Sequence, residues 1–502
     1  MKKIISTIIT ILILVPLAFV SCDLDRFPYS DIELSQGMKN IGDIRKLTDG
    51  GYSLLRNGTY GSHMITQDIQ ADLLHSTPAF GNRFGLPYSW DNFTPSDYDL
   101  EVQWELNYRL ISNANNVINN HGNIVLEGEN DENLLSQFLG EVYFMRALAY
   151  SRLVERFAKD YEPTTAENDP GVPLLLEFDI ENKPARSSVA AVYDQIFKDI
   201  EAARTNFNKV DWSKAVSTTL NNGSNMRFTP ETLSSFEARM YLYTHEWDKA
   251  IQTAEAVIES GKFPLVSSEA DFKAMWVDDA CSEIIMHLYG DAEKETVNTN
   301  SNYTSYQNNE QAYMPDYIPE KWVVDMYDDE DYRKSAYLLN DVVLLETTKY
   351  TDLYILNKYP RTTRFSASGN TFHYPILFRI AEMYLIVAEA SSQSTNAAGL
   401  KRLNELRAAR GLDALTGLSG ESLLEAVKVE RTKEMLGEGV RLSDLKRWKM
   451  PMKRSAPQNE QAALPGNMLK EIPAGHDKFV WGIPGTDIQL NPNLKDAQNP
   501  GW

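Results

Sequence analysis

The hydrophobic positions of this chain recur with a helical period far more often than with strict alternation. The clearest stretches are Leu134–Phe157, Ser188–Phe207, Thr229–Gly261, Ile376–Ser392, Ala397–Arg410 and Glu421–Trp448. Each places apolar residues three and four apart on one face, the pattern of a helix that buries one stripe. Thr229 before Pro230 predicts a helix start there, with the hydroxyl at N-cap and the proline at the first helical position. Asn302–Gln311 and Arg364–Asn370 are polar and aperiodic and are read as loops.

Three of these helices share a smaller motif. Ala-x-x-Tyr occurs at Ala147/Tyr150, Ala238/Tyr241 and Ala381/Tyr384. The second copy extends through Trp247, Ala250, Ala254 and Val257, with "THEW" as the turn, and matches the small and large positions of a tetratricopeptide helix pair. Alanine lets two helices approach closely, and the aromatic residue three positions on fills the groove between them. The copies are too far apart for a contiguous solenoid, so other elements must separate them. The expected fold is mainly α, with helical units around 134–157, 188–261 and 376–448. Loop-rich regions are expected around 75–104 and 265–375, with only minor short strands.

Composition adds a location. The chain opens "MKKIISTIITILILVPLAFVSCDLDRFP": two lysines, an apolar run from Ile4 to Val20, small Ser21, then Cys22. That order describes an export signal over residues 1–21, and a run of this length containing Pro16 is marginal as a membrane span. "FVSC" resembles a bacterial lipobox, with Phe19 where leucine is usual; Cys22 then becomes the acylated first residue of the mature chain. Several acyl chains together hold a protein firmly on a membrane. Loss of Lys2 and Lys3 takes the formal charge from −21 to −23. So acidic a body is repelled by nucleic acid and by anionic headgroups. With Cys22 acylated, Cys281 is the only thiol left. No intramolecular disulfide can then form, and the hydrophobic core must hold the fold.

The ordered series of motifs resembles the SusD/RagB family of outer-membrane lipoproteins from Cys22 to the last residue. "CDLDRFPYSDI", "GEVYFMRALAYSRLVERF", "DPGVPLLLE", "RSSVAAVYDQIFKDIEAA" and "SFEARMYLYTHEWDKAIQTAEAVIESGKFPL" follow in the family's order. "YPILFRIAEMYLIVAEA", "LKRLNELRAARGL", "VERTKEMLGEGVRLSDLKRW" and the terminal "AQNPGW" complete it, the last two being unusually specific. The resemblance implies a single domain over residues 22–502, with about four TPR-like units packed against a loop-rich, more variable half. It further implies a non-catalytic, lipid-anchored protein at the cell surface, where it captures glycan, less often peptide. Its implied partner is a SusC-like TonB-dependent outer-membrane transporter. Asp23 and Asp25 are similar to the acidic residues that favour surface export in such proteins.

No residue constellation argues for an enzyme or a cofactor. The seven histidines form no pair at metal-ligand spacing, and His245-Glu246 lacks the second histidine of a zinc helix. A serine elbow and a phosphate-cradling glycine loop are both missing from the sequence. Cys281 reads as a buried residue entering a strand. "DMYDDEDYRKS" lacks the glycine and closing glutamate of a calcium loop and reads as a solvated acidic face. The sequence leaves open a surface hydrolase, because a carboxylate pair need only be close in space.

Sugar binding asks for flat aromatic rings against the C–H face of a pyranose and amides, carboxylates or guanidinium groups for its hydroxyl rim. "FGNRFGLPYSWDNFTPSDY" offers Arg83, Tyr88, Trp90 and Asn92, and the family's matching segment contributes to its glycan site. "NTNSNYTSYQNNEQAYMPDY" offers Tyr303 and Tyr306 among asparagines. Trp247, Trp448 and Trp502 fall in helical or terminal motifs and read as core.

Overall fold

A computed structural model describes residues 38–58, 64–79, 81, 84–177, 179, 181–219, 225–290, 305–307, 309–361, 373–464 and 469–502. The export segment with Cys22, Asp23 and Asp25 lies outside these residues, as do Arg83, Tyr303 and the loop 364–370. The N-terminal part contributes α1 (Ile41–Gly58), α2 (Met64–Gln70), the single turn α3 (Gly85–Ser89), and the long α4 (Tyr98–Asn120) and α5 (Asp131–Phe157). After them come α6 (Val189–Phe207), α7 (Pro230–Tyr243) and α8 (Trp247–Glu259). The loop-rich middle holds α9 (Glu269–Val277), α10 (Lys321–Asp325) and α11 (Tyr332–Tyr337). α12 (Ile380–Ser392), α13 (Ala398–Ala408), α14 (Gly420–Glu434), α15 (Arg441–Arg447) and α16 (Gly485–Leu490) complete the set.

Four helix pairs form the scaffold: α1 with α4, α5 with α6, α7 with α8, and α12 with α13. α4 also packs on α5, and α12 on α8, so the pairs are joined into one body. Ala147, Ala238 and Ala381 are fully buried at the helix contacts, as the Ala-x-x-Tyr motif requires. The Tyr150 hydroxyl donates to Leu175 O at 2.7 Å and anchors the segment after the short strand Pro170–Pro173. α5 and α6 approach so closely that a Cβ on Gly140 would stand 2.4 Å from the Phe207 ring. Thr229 caps α7 in a reciprocal box with Thr232, and Pro230 takes the first helical position. The turn to α8 runs through His245 in the left-handed region at φ 62°.

Two helical expectations are corrected. Ile376–Arg379 is a strand, paired antiparallel with Ile284–His287, and the helix begins only at Ile380. A largely buried, apolar strand running straight into a buried helix leaves no polar face to mark the joint, so the periodicity read through it. Glu421–Trp448 is two helices, separated where Gly437 and Gly439 adopt φ of 74° and 71°.

The loop-rich half has its own apolar core, in which Ile65, Ile69, Trp276, Tyr337 and Tyr359 meet. Its strands are two to four residues long and form small sheets. The largest has four strands in the order Thr348–Tyr350, Val343–Leu345, Ala312–Tyr313, Tyr306–Gln307.

A buried ion cluster locks the two halves together. Glu434, at the end of α14, accepts from Arg410 at 2.7 and 3.0 Å, from Arg333 at 3.0 Å, and from Arg379. Arg410 also holds both oxygens of Glu283 at 2.8 and 2.7 Å, and Arg333 chelates Asp331 at 2.8 Å through two nitrogens. Arg379 and Lys358 converge on Glu438, each at 2.6 Å. Burial alone would raise the Glu434 carboxyl; Arg410 and Arg379 overcome it and hold the group well below the usual carboxylate range. Glu434→Gln should cost about 3–5 kcal/mol, read as a lower urea midpoint, because three guanidinium groups lose their shared counter-charge. The depressed carboxylate contributes its stability fully above the ordinary glutamate pKa of 4.5 and loses it as pH falls further. The melting temperature should therefore drop in acid, and Glu434→Gln should flatten that drop.

Candidate functional site

The two loops singled out in the sequence meet in space. Leu74–Ser76 pairs antiparallel with Tyr317–Pro319. Beyond this pairing the Thr77 amide donates to Asp316 O at 2.9 Å, and the Thr77 hydroxyl donates to Pro315 O at 2.7 Å. The Gly81 amide reaches the Asp316 carboxylate at 3.3 Å. The segment leading to Arg83 is thus clipped to the segment that follows Tyr306.

Tyr306 lies on the edge strand of the four-stranded sheet and is half-buried. Its ring meets the edge of Tyr313 at a centroid distance of 4.8 Å and an angle of 71°. The Arg361 guanidinium stands 3.7 Å over the Tyr306 ring. The Tyr306 hydroxyl donates to Gln311 Oε1 at 3.4 Å, and Gln307, Asn309, Glu310 and Gln311 are exposed beside it. A flat ring, a planar guanidinium and a fringe of amides are the groups that a sugar's C–H face and hydroxyl rim require. The sequence singles out Tyr306 as a candidate, whereas Arg361, 55 residues away along the chain, carries no local signal.

Tyr88 and Trp90 correct the expectation placed on them. Both are buried, at 1% and 3% exposure, and neither offers a ring face to a ligand. The turn α3 directs Tyr88 inward, where its hydroxyl accepts from the Ser76 amide at 3.1 Å and Arg454 covers its ring at 3.7 Å. Trp90 donates to Gln70 O at 2.8 Å and packs against Phe479 at 5.1 Å. Asn92 is exposed, with φ at 54°.

The remaining chemical features are structural. Burial and neighbouring Glu283 push the Cys281 thiol up to about 12, which disfavours the nucleophilic thiolate. Within Asp325–Ser335 the expected solvated acidic face is only partly present: Asp331 caps α11 and is buried against Arg333. Among the described residues no three His, Cys, Asp or Glu side chains are grouped to hold a metal ion. Trp448 donates to Glu389 at 2.8 Å, Trp502 donates to Val480 O at 2.9 Å, and Trp247 stacks on His245 at 4.7 Å.

A stack of helix pairs carrying a loop-built face of small sheets defines a class of helical scaffold proteins. The chain belongs to the SusD family, whose model matches residues 217–502. A second model, described as "Starch-binding associating with outer membrane", matches residues 24–242. SusD-like protein P38 of Formosa agariphila is 24% identical, with 99% of each chain covered. SusD-like protein P25 of the same organism is 22% identical over 96% of this chain and 97% of that one. Among solved structures, a putative sugar binding protein from Bacteroides vulgatus superposes with a TM-score of 0.76 at 23% identity, covering 93% of this chain and 99% of that one. A SusD superfamily protein from Bacteroides thetaiotaomicron gives 0.75 at 21% identity, covering 92% and 100%. These likenesses show a shared fold.

Trp90→Ala should behave as a core truncation, lowering stability by about 3–5 kcal/mol in a denaturant titration. A Trp90→Ala protein as stable as the parent would contradict its placement here.

Proposed function

We propose that this protein is a non-catalytic binder that captures a glycan at the cell surface and delivers it to a TonB-dependent outer-membrane transporter. The observation that carries the reading is the Tyr306–Arg361 pair with its fringe of amides, set on the loop face of a SusD-family scaffold. The names of the relatives support the carbohydrate class: one solved neighbour is described as sugar binding and one matching model as starch-binding. Residues 1–21 act in this reading as the export signal, and Cys22 carries the lipid that keeps the protein on the outer membrane. Arg83, Asn92 and Tyr303 are proposed to add polar or aromatic contacts at the edge of the same face. No helix among the described residues is long and apolar enough to cross a membrane, which is compatible with attachment through lipid.

A glycan array followed by calorimetry tests the binding. Tyr306→Ala should weaken the best ligand about three- to tenfold, the range a lost aromatic contact supports. Trp90→Ala, where it folds, should leave affinity unchanged. Unaltered affinity in both Tyr306→Ala and Arg361→Ala would remove the site from this face. Dose-dependent release of reducing ends by purified protein would replace the binder with a hydrolase. Cys22→Ala should move the protein from the membrane fraction to the soluble fraction of the cell envelope, and unchanged membrane retention would refute the anchor.

A further inference from the structure

A cavity of about 570 Å³ shares no lining residue with the Tyr306 face. It opens between the end of α5, the segment before α6, the end of α15 and the last residues of the chain. That volume lies in the usual range for small-ligand sites. Two of its walls are cations whose hydrogen bonds go only to neutral oxygens. Arg186 spends all five N–H groups: Nε donates to Gly171 O at 2.7 Å, Nη1 to Ala497 O and Asn499 Oδ1 at 2.8 Å, and Nη2 to Pro170 O at 2.8 Å and Phe157 O at 3.3 Å. Lys446 Nζ donates to Glu155 O at 2.5 Å and Ala158 O at 2.9 Å. Among the described residues neither forms an ion pair. The two other lining cations are paired, Lys159 with Asp169 at 2.7 Å and Lys449 with Asp160. The lining carboxylates Asp477 and Asp496 are exposed at the rim.

We propose that this cavity is a second carbohydrate site, selective for an acidic sugar whose carboxylate accepts the third N–H of Lys446, which its two carbonyl acceptors leave over, and is favoured by the charge of Arg186, whose own N–H groups are all spent. It rests on the carbohydrate reading above and adds to it a ligand class. A half-buried cation without a counter-charge keeps part of its desolvation cost, and a bound carboxylate relieves it. The exposed amide of Asn493 at the mouth matches a sugar hydroxyl, while the Gln498 amide is held by the Ile483 and Asn499 backbone. The cavity wall is also locally cationic, four lysine and arginine side chains against three carboxylates, in a chain of net charge −21.

Protonation gives the proposal a distinctive signature. Burial pushes the Lys446 ammonium down to about 8; Asp160 and Glu155 oppose the shift, and Arg156 and Lys449 add to it. Tyr161, Tyr193, Tyr243 and Arg447 line the narrow cleft on its other side. A carboxylate bound beside Lys446 favours its charged form and raises that pKa. Binding is therefore strongest below pH 8, weakens as pH rises through it, and takes up protons as Lys446 becomes fully charged.

Calorimetry with tetragalacturonate and its neutral methyl ester, in two buffers of different ionisation enthalpy, tests this. The acid should bind about tenfold or more tightly than the ester at pH 7, and severalfold more weakly at pH 9. Lys446→Met should abolish the proton uptake. The exposed substitution Lys449→Glu, chosen because it leaves the packing intact, should weaken the acid about fivefold or more, and Tyr306→Ala should not. Equal binding of acid and ester, no binding of either, or indifference to Lys449→Glu would overturn the site. Tetra-aspartate binding as tightly, with the same response to Lys449→Glu, would overturn the sugar assignment. A neutral glycan lost only in Tyr306→Ala would leave the proposed function standing even if this cavity fails.

Discussion

Everything else in this structure is arranged around the buried carboxylate of Glu434. A charge taken out of water must find its partners at fixed geometry, and removing one partner costs far more than the complete set gains. Glu434 finds its partners on three separate stretches of chain: Arg333 on α11, Arg379 at the strand–helix joint, and Arg410 just past α13. The α14–α15 segment repeats the device along its length. Arg431 meets Asp444 at 2.8 Å, Arg441 holds Asp72 at 2.8 and 2.9 Å, and Arg447 holds Glu389. This gives a physical reason for the specificity of "VERTKEMLGEGVRLSDLKRW". Most of its charges are buried and committed to partners as distant in sequence as Asp72, and Lys446 is bonded instead to the Glu155 and Ala158 carbonyls.

A second use of arginine shapes the loops. Arg454 donates to Ala71 O at 3.1 Å, Ile69 O at 3.0 Å, Gln70 O at 3.1 Å and Tyr88 O at 2.7 Å. It thereby satisfies carbonyls at the end of α2 that the helix leaves unpaired, and fixes α3 against them. Arg186 performs the same task for the chain's last residues. Carbonyl-bonded arginines hold irregular backbone without adding secondary structure, so this half can be loop-rich and still present a defined face. The cost falls on neighbours: burial pushes the Glu320 carboxyl, near Arg454, up to about 8.

These two devices explain what could be read from the sequence. Helix pairs were legible because their signal is local: Ala238, Tyr241, Ala250 and Ala254 lie within one short stretch, and Thr229–Pro230 announces a helix wherever it falls. Tyr88 and Trp90 were misread because composition describes their segment as polar and irregular, whereas Arg454, hundreds of residues on, makes it a core turn. Tyr306 was legible as an aromatic residue among amides, and its partner Arg361 was not. The joint at Ile376–Arg379 failed for the opposite reason, an apolar pattern too continuous to divide. Local periodicity found the scaffold; long-range arginine contacts decided the loops.

The same accounting bears on how an acidic protein handles a polymer. Arg156, Arg333, Arg379, Arg410, Arg431 and Arg454 are each at most 2% exposed, so much of the positive charge is spent inside. Buried carboxylates such as Glu434, Glu283 and Asp331 match them, so the surface keeps the acidic balance of a chain with net charge −21. Long-range attraction cannot draw an anionic chain onto such a body. The proposed sites accordingly use short-range groups: the ring face and amides around Tyr306, and the sheltered cations Lys446 and Arg186. Short-range recognition of this kind depends on backbone held at fixed positions. The buried ion pairs supply that rigidity, and through it the architecture of α14 and α15 reaches the chemistry of the loops.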